Sequence, residues 1–291
     1  MVRSIVLTPQ VRTEAMTNSR ATLSAELAGV LSRLAAEGRR VFTVEQFAKA
    51  AGRPNSKCWR TLSCLCDGGW VLRLMRGKYL IVPLEAGPEA AWSEDALIVA
   101  GHLAEAAAVA YWSACHYWNW TEQVPRTVFV QTTQQKVKCS RTVLGVRYRF
   151  VRVRPEKFFG TVRRSVGDGR ATLTDREKTL VDCMDRPELC GGIGQVARML
   201  PAAAEAVDWD RVDEYLGRLG SGAVYKRLGL LVEHAGGKLR IPGRPRRVER
   251  WQRRLTGGYA PLEPERASDG PTDSRWRVRL NVPGVVEEAG R

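Results

Sequence analysis

The sequence predicts an α/β (α+β) protein: a small helical unit closed by a two-stranded hairpin, followed by a larger mixed α+β domain. Three observations carry that expectation. Apolar residues recur at helical spacing through residues 21–66, two short apolar-rich runs flank Arg76-Gly77, and from residue 93 helical and β-rich stretches follow one another without an internal repeat. A chain of 291 residues can bury two cores without disulfides or metals, so two domains are expected, at 1–84 and 93–291. The stretch 83–92, rich in Pro, Gly and Glu, reads as the linker.

Charge is distributed unevenly. The net formal charge is +15; residues 1–84 hold 13 Lys and Arg against 5 Asp and Glu, residues 85–235 hold 20 against 19, and residues 236–291 hold 13 against 7. A neutral middle between two basic ends points to nucleic-acid contact through the ends, the plainer alternative being a proteome rich in arginine. No run of eighteen apolar residues occurs, and the start lacks the apolar stretch and small-residue cleavage site of a signal peptide, so a cytoplasmic location without a membrane partner is expected. Seven irregularly spaced cysteines in a chain this long read as reduced thiols rather than a disulfide framework.

In the first unit, Leu23, Leu27, Val30, Leu31 and Leu34 predict a helix over 21–37 that stops at Gly38. Thr43, with Gln46 three residues on, forms a capping box for a second helix that turns Val44, Phe47 and Ala48 inward and ends at Gly52. After Gly52-Arg53-Pro54-Asn55 a third helix is predicted over 56–66, burying Trp59, Leu62 and Leu65 and exposing Lys57, Arg60, Thr61 and Ser63. Gly68-Gly69 closes it, and 70–74 with 78–82 form a hairpin whose tip is Arg76-Gly77.

This order is that of a winged helix-turn-helix. Its third helix would enter the major groove, where short and long hydrogen-bonding side chains can read base edges, while the hairpin reaches flanking phosphates. The expected DNA-binding residues are Thr43, Asn55, Ser56, Lys57, Arg60 and Thr61, with Arg73, Arg76 and Lys78 on the hairpin. The plainer alternative is a solvated basic helix in a three-helix core.

In the second domain, Ser93 can cap a helix over 94–102, and the Ala-rich 104–117 reads as another, largely buried helix. Strands are expected at 127–133 and 147–154, separated by a turn-rich 134–140. In the second strand Arg147, Arg149, Arg152 and Arg154 alternate imperfectly with Tyr148, Phe150, Val151 and Val153, and the slip at Phe150-Val151 predicts a bulge or strand end. The arginines form either a second basic surface or the solvated face of an edge strand. Thr174 with Glu177 suggests a capping box before a helix over 178–185, which Pro187 stops. Helices over 192–200, 209–219 and 223–234 follow. The Arg-, Pro- and Gly-rich 244–274 is expected to be mobile, with a last strand at 275–282.

Residues capable of catalysis or metal binding do not assemble in the sequence. His102, His116 and His234 stand far apart, Cys64-Leu65-Cys66 is too tight for a zinc finger, and Cys183 and Cys190 lack a matching second pair, so no metal or cofactor is expected. Cys58 and Cys64 read as small core residues, and Tyr111, Trp112, Tyr117, Trp118 and Trp120 as core aromatics. Asp208 and Asp210 with Gly220-Ser221 carry the elements of a nucleotidyltransferase, an acidic pair for Mg²⁺ and a Gly-Ser phosphate turn, but in reversed order. Asp208 and Ser221 also suit helix caps. That enzyme is the alternative reading; the leading one has no catalytic residues.

Several runs resemble one family. They are Tyr111-Trp112-Ser113-Ala114, His116-Tyr117-Trp118, the segment from Thr121-Glu122-Gln123-Val124-Pro125 to Val130, Arg149-Phe150-Val151-Arg152-Val153, and Lys157-Phe158-Phe159-Gly160. Thr174-Asp175-Arg176-Glu177-Lys178-Thr179-Leu180-Val181-Asp182, Arg186-Pro187-Glu188 and Lys226-Arg227-Leu228-Gly229 complete the set. The chain is similar, over residues 43–282, to the AbiEi antitoxins of AbiE-type toxin-antitoxin systems, which act in phage defence. The resemblance implies an N-terminal winged helix-turn-helix that represses its own operon by binding promoter inverted repeats, and a C-terminal domain that counteracts a neighbouring nucleotidyltransferase toxin. It also implies that the antitoxin is not itself an enzyme. Residues 1–40 and 244–274 match least.

Overall fold

The computed structural model describes residues 22–82, 96–167 and 169–285. The chain divides into two compact units, residues 1–90 and 91–291. The expected linker at 83–92 and the cap at Ser93 lie outside the described residues.

The first unit runs α1 (Ala25–Ala36), β1 (Val41–Thr43), α2 (Val44–Ala51), α3 (Asn55–Asp67), β2 (Val71–Met75) and β3 (Lys78–Ile81). It is a winged helix-turn-helix. Ser24 starts α1 by accepting from the Leu27 N–H, and Gly52 ends α2 in the left-handed region at φ 62°, a conformation that only a residue without Cβ adopts freely. Strand β3 lies between β1 and β2, antiparallel to both. Phe42, stacked on Phe47 at 5.8 Å and on Tyr79 at 5.9 Å, joins this sheet to α2. Three-residue β1 is too short to show a period and exists because β3 offers it a partner.

Two expectations for α3 are corrected. Cys58, Leu62 and Leu65 face the core, at spacings of four and three, whereas Trp59, one position from Cys58 and so about 100° round the helix, is 45% exposed. Cys64, expected in the core, is exposed.

The second unit opens with α4 (Ala96–Ala100), β4 (Ala107–Val109) and α5 (Tyr111–Tyr117), then β5 (Thr127–Thr132), β6 (Ser140–Val143), β7 (Val146–Arg152), β8 (Thr161–Val166) and β9 (Gly169–Thr174). Helices follow: α6 (Arg176–Asp185), α7 (Ile193–Ala206), α8 (Trp209–Leu219), α9 (Gly222–His234) and α10 (Arg244–Gln252). Three two-residue strands, β10 (Ala260–Pro261), β11 (Thr272–Asp273) and β12 (Val278–Arg279), end it. The main sheet has the order β6-β7-β5-β4-β9-β8, parallel at β5/β7 and β4/β9 and antiparallel elsewhere. The largest core unites residues of the sheet and α5 with those of α6 to α10.

Here tertiary pairing overrode local preference. The helix expected over 104–117 is split: Ala107–Val109 is a strand hydrogen-bonded between β5 and β9, and only Tyr111–Tyr117 is helical. Alanine favours a helix, but a fully buried position between two strands supplies more hydrogen bonds to the backbone than an isolated turn. No bulge interrupts β7, whose register with β5 is regular through Val151 and Arg152. The pattern slips because Phe150 is buried on one face and Val151 on the other, under the helical layer. Strand β7 is also internal, not an edge.

Asp175, not Thr174, caps α6: its carboxylate accepts from the Lys178 N–H at 2.8 Å, while the Thr174 hydroxyl meets that of Thr179 at 2.8 Å. Glu177 instead accepts from the N–H of Asp208 at 2.9 Å. Part of the stretch 244–274, expected to be mobile, is helical. Helix α10 buries Arg247, which donates to Pro242 O and Trp209 O at 2.8 and 2.9 Å and pairs with Asp210 and Asp213, and Trp251, which donates to Asp213 Oδ1 at 2.7 Å. Long-range acidic partners hold a segment that its composition alone would leave loose. The final strand shrinks from the expected 275–282 to Val278–Arg279.

Candidate nucleic-acid interface

The surface of the first unit is assembled from the start of α3 and the β2–β3 hairpin. Pro54 begins α3 without a side-chain cap, so the orphan N–H groups of the first turn are not covered by a side chain, and the helix dipole adds partial positive charge there. The thiol of Cys58 donates to Pro54 O at 3.4 Å and pins this end to the core; burial pushes that thiol above its ordinary value and keeps it neutral. The helix therefore starts with a fixed direction.

Asn55, Ser56, Lys57, Trp59, Arg60 and Ser63 are exposed along α3, and Thr61 is half-buried. Their periodicity follows from Cys58, Leu62 and Leu65 holding the opposite face. No acidic residue occurs in the first turn. Among the described residues, no carboxylate lies within ion-pair distance of Lys57, Arg60, Arg76 or Lys78. Cations left without partners retain their charge for an incoming polyanion, since no internal ion pair must first be broken.

On the hairpin, Met75 pairs with Lys78 and leaves Arg76-Gly77 as the tip. Gly77 adopts φ 75° and accepts from the Val44 N–H at 3.2 Å, so the tip is tied back to the start of α2. Arg73 and Arg76 are exposed and Lys78 is half-buried. By contrast, Arg53, in the turn before α3, is paired with Glu26 at 2.6 Å.

Thr43 stands apart from the rest. Its hydroxyl accepts from the Gln46 N–H at 3.3 Å while Gln46 Oε1 accepts from the Thr43 N–H at 2.8 Å, so its side chain completes a capping box. Thr43→Ala is expected to lower the stability of the first unit by about 1 kcal/mol, measured by urea unfolding, the usual effect of removing such a cap. Trp59 is the surface residue that sequence reasoning missed; its one-position offset from Cys58 was the available signal.

The nucleotidyltransferase elements do not converge. Asp208 spends its carboxylate on the N–H groups of Asp210 and Arg211 at 2.9 and 3.4 Å, and Asp210 is engaged by Arg247 at 2.6 Å. Ser221 occupies the N-cap position of α9, but its hydroxyl donates to Asp185 Oδ1 at 3.1 Å. Asp208 and Gly220 cap opposite ends of α8, roughly 18 Å apart at 1.5 Å per residue.

Several polar groups buried in the second unit are paired in sets. Lys178 and Asp182, one helical turn apart, form an ion pair, and Gln131 donates to Asp182 at 2.7 Å. Burial raises the Asp182 carboxyl to about 6 in spite of Lys178. Asp175 accepts from Tyr215 and Arg211, both at 2.9 Å. The aromatic group is mainly core: Tyr111 and Trp120 are buried, and half-buried Trp118 donates to Thr174 O at 3.1 Å beneath the guanidinium of Arg176. The pair Cys183 and Cys190, expected to lack further ligands, is joined by Cys115. Among the described residues, no helix is long and apolar enough to cross a membrane.

No family model and no curated protein matches the chain. Among solved structures it is similar to the RV2827C protein from Mycobacterium tuberculosis, with a TM-score of 0.62 at 15% identity, covering 95% of this chain and 99% of that one. At that identity the likeness is one of fold.

Proposed function

We propose that this protein is a DNA-binding repressor and antitoxin of the AbiE type: its first unit binds inverted repeats in its own promoter, and its second domain counteracts a nucleotidyltransferase toxin. The observation that carries the DNA reading is the set of cations Lys57, Arg60, Arg76 and Lys78, which have no carboxylate partner among the described residues, on the third helix and wing of a winged helix-turn-helix. In such a fold the start of the recognition helix meets base edges and the wing meets backbone phosphate. Asn55, Ser56, Arg60 and Thr61 are then base-edge readers, and Lys57, Arg73, Arg76 and Lys78 phosphate contacts. Exposed Trp59 adds an apolar surface of the kind that packs on thymine methyl groups or sugars.

The antitoxin reading of the second domain rests on the resemblance of its sequence to AbiEi proteins. The carboxylates of Asp208 and Asp210 serve a helix cap and an ion pair with Arg247 and are far from Ser221, which favours a binding role over catalysis.

Anisotropy titrations of the full chain on its own promoter test the first half. The triple variant Lys57→Glu, Arg60→Glu, Arg76→Glu is expected to bind at least about 100-fold more weakly, with the slope of log K against log salt reduced by about 3. Unchanged affinity in a folded triple variant overturns the interface. For the second half, co-expression with the neighbouring toxin should restore growth, and failure to do so refutes the antitoxin role while leaving repression standing.

A further inference from the structure

Three segments far apart in the sequence bring their cysteines to one point. Helix α5 supplies Cys115, the last turn of α6 supplies Cys183, and the 3-10 turn Pro187–Cys190 supplies Cys190. The Cys183 Sγ is 3.3 Å from both other sulfurs, and all three lie within 4.8 Å of one another. Their residues are 0%, 2% and 0% exposed, inside the largest apolar core.

Ordinary packing accounts poorly for this convergence. Sulfur is larger than carbon, yet two of the separations are below the roughly 3.5–4.0 Å at which carbon atoms pack best. Thiols are weak donors and weak acceptors, so they gain little from such crowding. Metal coordination accounts for the convergence of three distant segments: three thiolates about 2.3 Å from a central ion in a plane sit about 4.0 Å apart, so binding would spread the two 3.3 Å pairs by about 0.7 Å.

We propose that Cys115, Cys183 and Cys190 form a trigonal, all-sulfur site for a soft monovalent cation, copper(I), within the second domain. The choice of ion follows from the donors. All-thiolate sites select soft ions, zinc and copper(I) foremost. Structural zinc takes four ligands, and among the described residues the cluster comprises these three cysteines without a histidine or carboxylate. Its burial also keeps bulk water from completing a tetrahedron. Copper(I) is satisfied by three sulfurs. Binding is ligand exchange without redox change: copper(I) gives up its bonds to the chelator or carrier as three Cu–S bonds form, and the thiol protons pass to solvent. The ion would cross-link α5, α6 and the turn after α6, elements that otherwise meet through side-chain packing.

The test uses the full chain carrying Cys64→Ser, Cys66→Ser and Cys139→Ser, which removes the accessible thiols. Protein expressed in copper-supplemented medium, and reduced protein incubated anaerobically with copper(I) held by a chromogenic chelator, should each contain one copper per chain. X-ray absorption should show three sulfurs at about 2.3 Å, and the melting temperature should rise by several degrees. Adding Cys183→Ala or Cys190→Ser should abolish uptake while near-UV circular dichroism reports an intact core; two variants are used so that misfolding of one leaves the other decisive. Absence of copper, retention of copper by either folded variant, or preferential uptake of zinc with a fourth oxygen or nitrogen ligand overturns the assignment.

Discussion

Lys178→Met is expected to destabilise the second domain by about 3–5 kcal/mol, because it removes one half of an ion pair that is buried on both sides. Lys178 and Asp182 have side chains 1% and 4% exposed, and Gln131 is the other donor to Asp182. Methionine fills the lysine's volume, so the loss is electrostatic: a carboxylate remains in the core without its counter-charge. The pH dependence separates this cause from lost packing. Burial already raises Asp182 to about 6, above its ordinary value, in the native protein, and losing the lysine's attraction should raise it further. A carboxyl whose folded pKa exceeds its unfolded pKa favours folding at low pH and opposes it as pH rises between the two values. The deficit of the variant should therefore shrink as pH falls from 7 towards 4. Lys178→Met combined with Asp182→Leu should recover most of the loss, since a well-packed apolar pair can replace a buried ion pair. Urea unfolding of the wild type and the two variants at pH 7 and pH 5 decides the matter; an equal deficit at both pH values, without recovery in the double variant, would refute it.

Gly229→Ala should also destabilise the second domain, though by less, even though alanine is the better helix former. A Cβ at this position in α9 would overlap the six-membered ring of Trp276, whose residue is fully buried and whose indole N–H donates to Glu233 at 2.5 Å. The ring cannot retreat without giving up that hydrogen bond. Helix propensity returns about 1 kcal/mol, against an overpacking cost at or above the upper end of about 1–3 kcal/mol, so a net loss near 2 kcal/mol is expected. The unfolding midpoint measures it. Trp276→Leu in the Gly229→Ala background should be less harmful than in the wild type, because each change relieves the other. Additive losses would show that the close approach of helix and ring is not what requires glycine here.

The first unit was legible almost residue by residue. Thr43 and Gln46 announce α2, Gly52 and Gly68 bound the next helix, and Arg76-Gly77 marks the tip of the hairpin. Local rules suffice where helices are amphipathic and turns are short. The offset at Trp59 arose because Trp59, Leu62 and Leu65 and Cys58, Leu62 and Leu65 are both acceptable helical stripes. Only the position of α2 and the sheet selects the second.

The second domain resisted for a different reason. Ala107–Val109 carries no pattern of its own and is a strand because β5 and β9 bracket it. Arg247 and Trp251 lie in a segment of disordered composition and are ordered by Asp210 and Asp213, more than thirty residues earlier.

Composition and spacing by themselves determined the α+β class, the winged helix-turn-helix and the basic side chains on its third helix and wing, because each depends on neighbours within about a dozen residues. The mixed sheet, the buried charge pairs and the meeting of Cys115 with Cys183 and Cys190 were decided by tertiary structure alone. They depend on contacts across long loops, and the energy that selects them is released only once distant segments share a core.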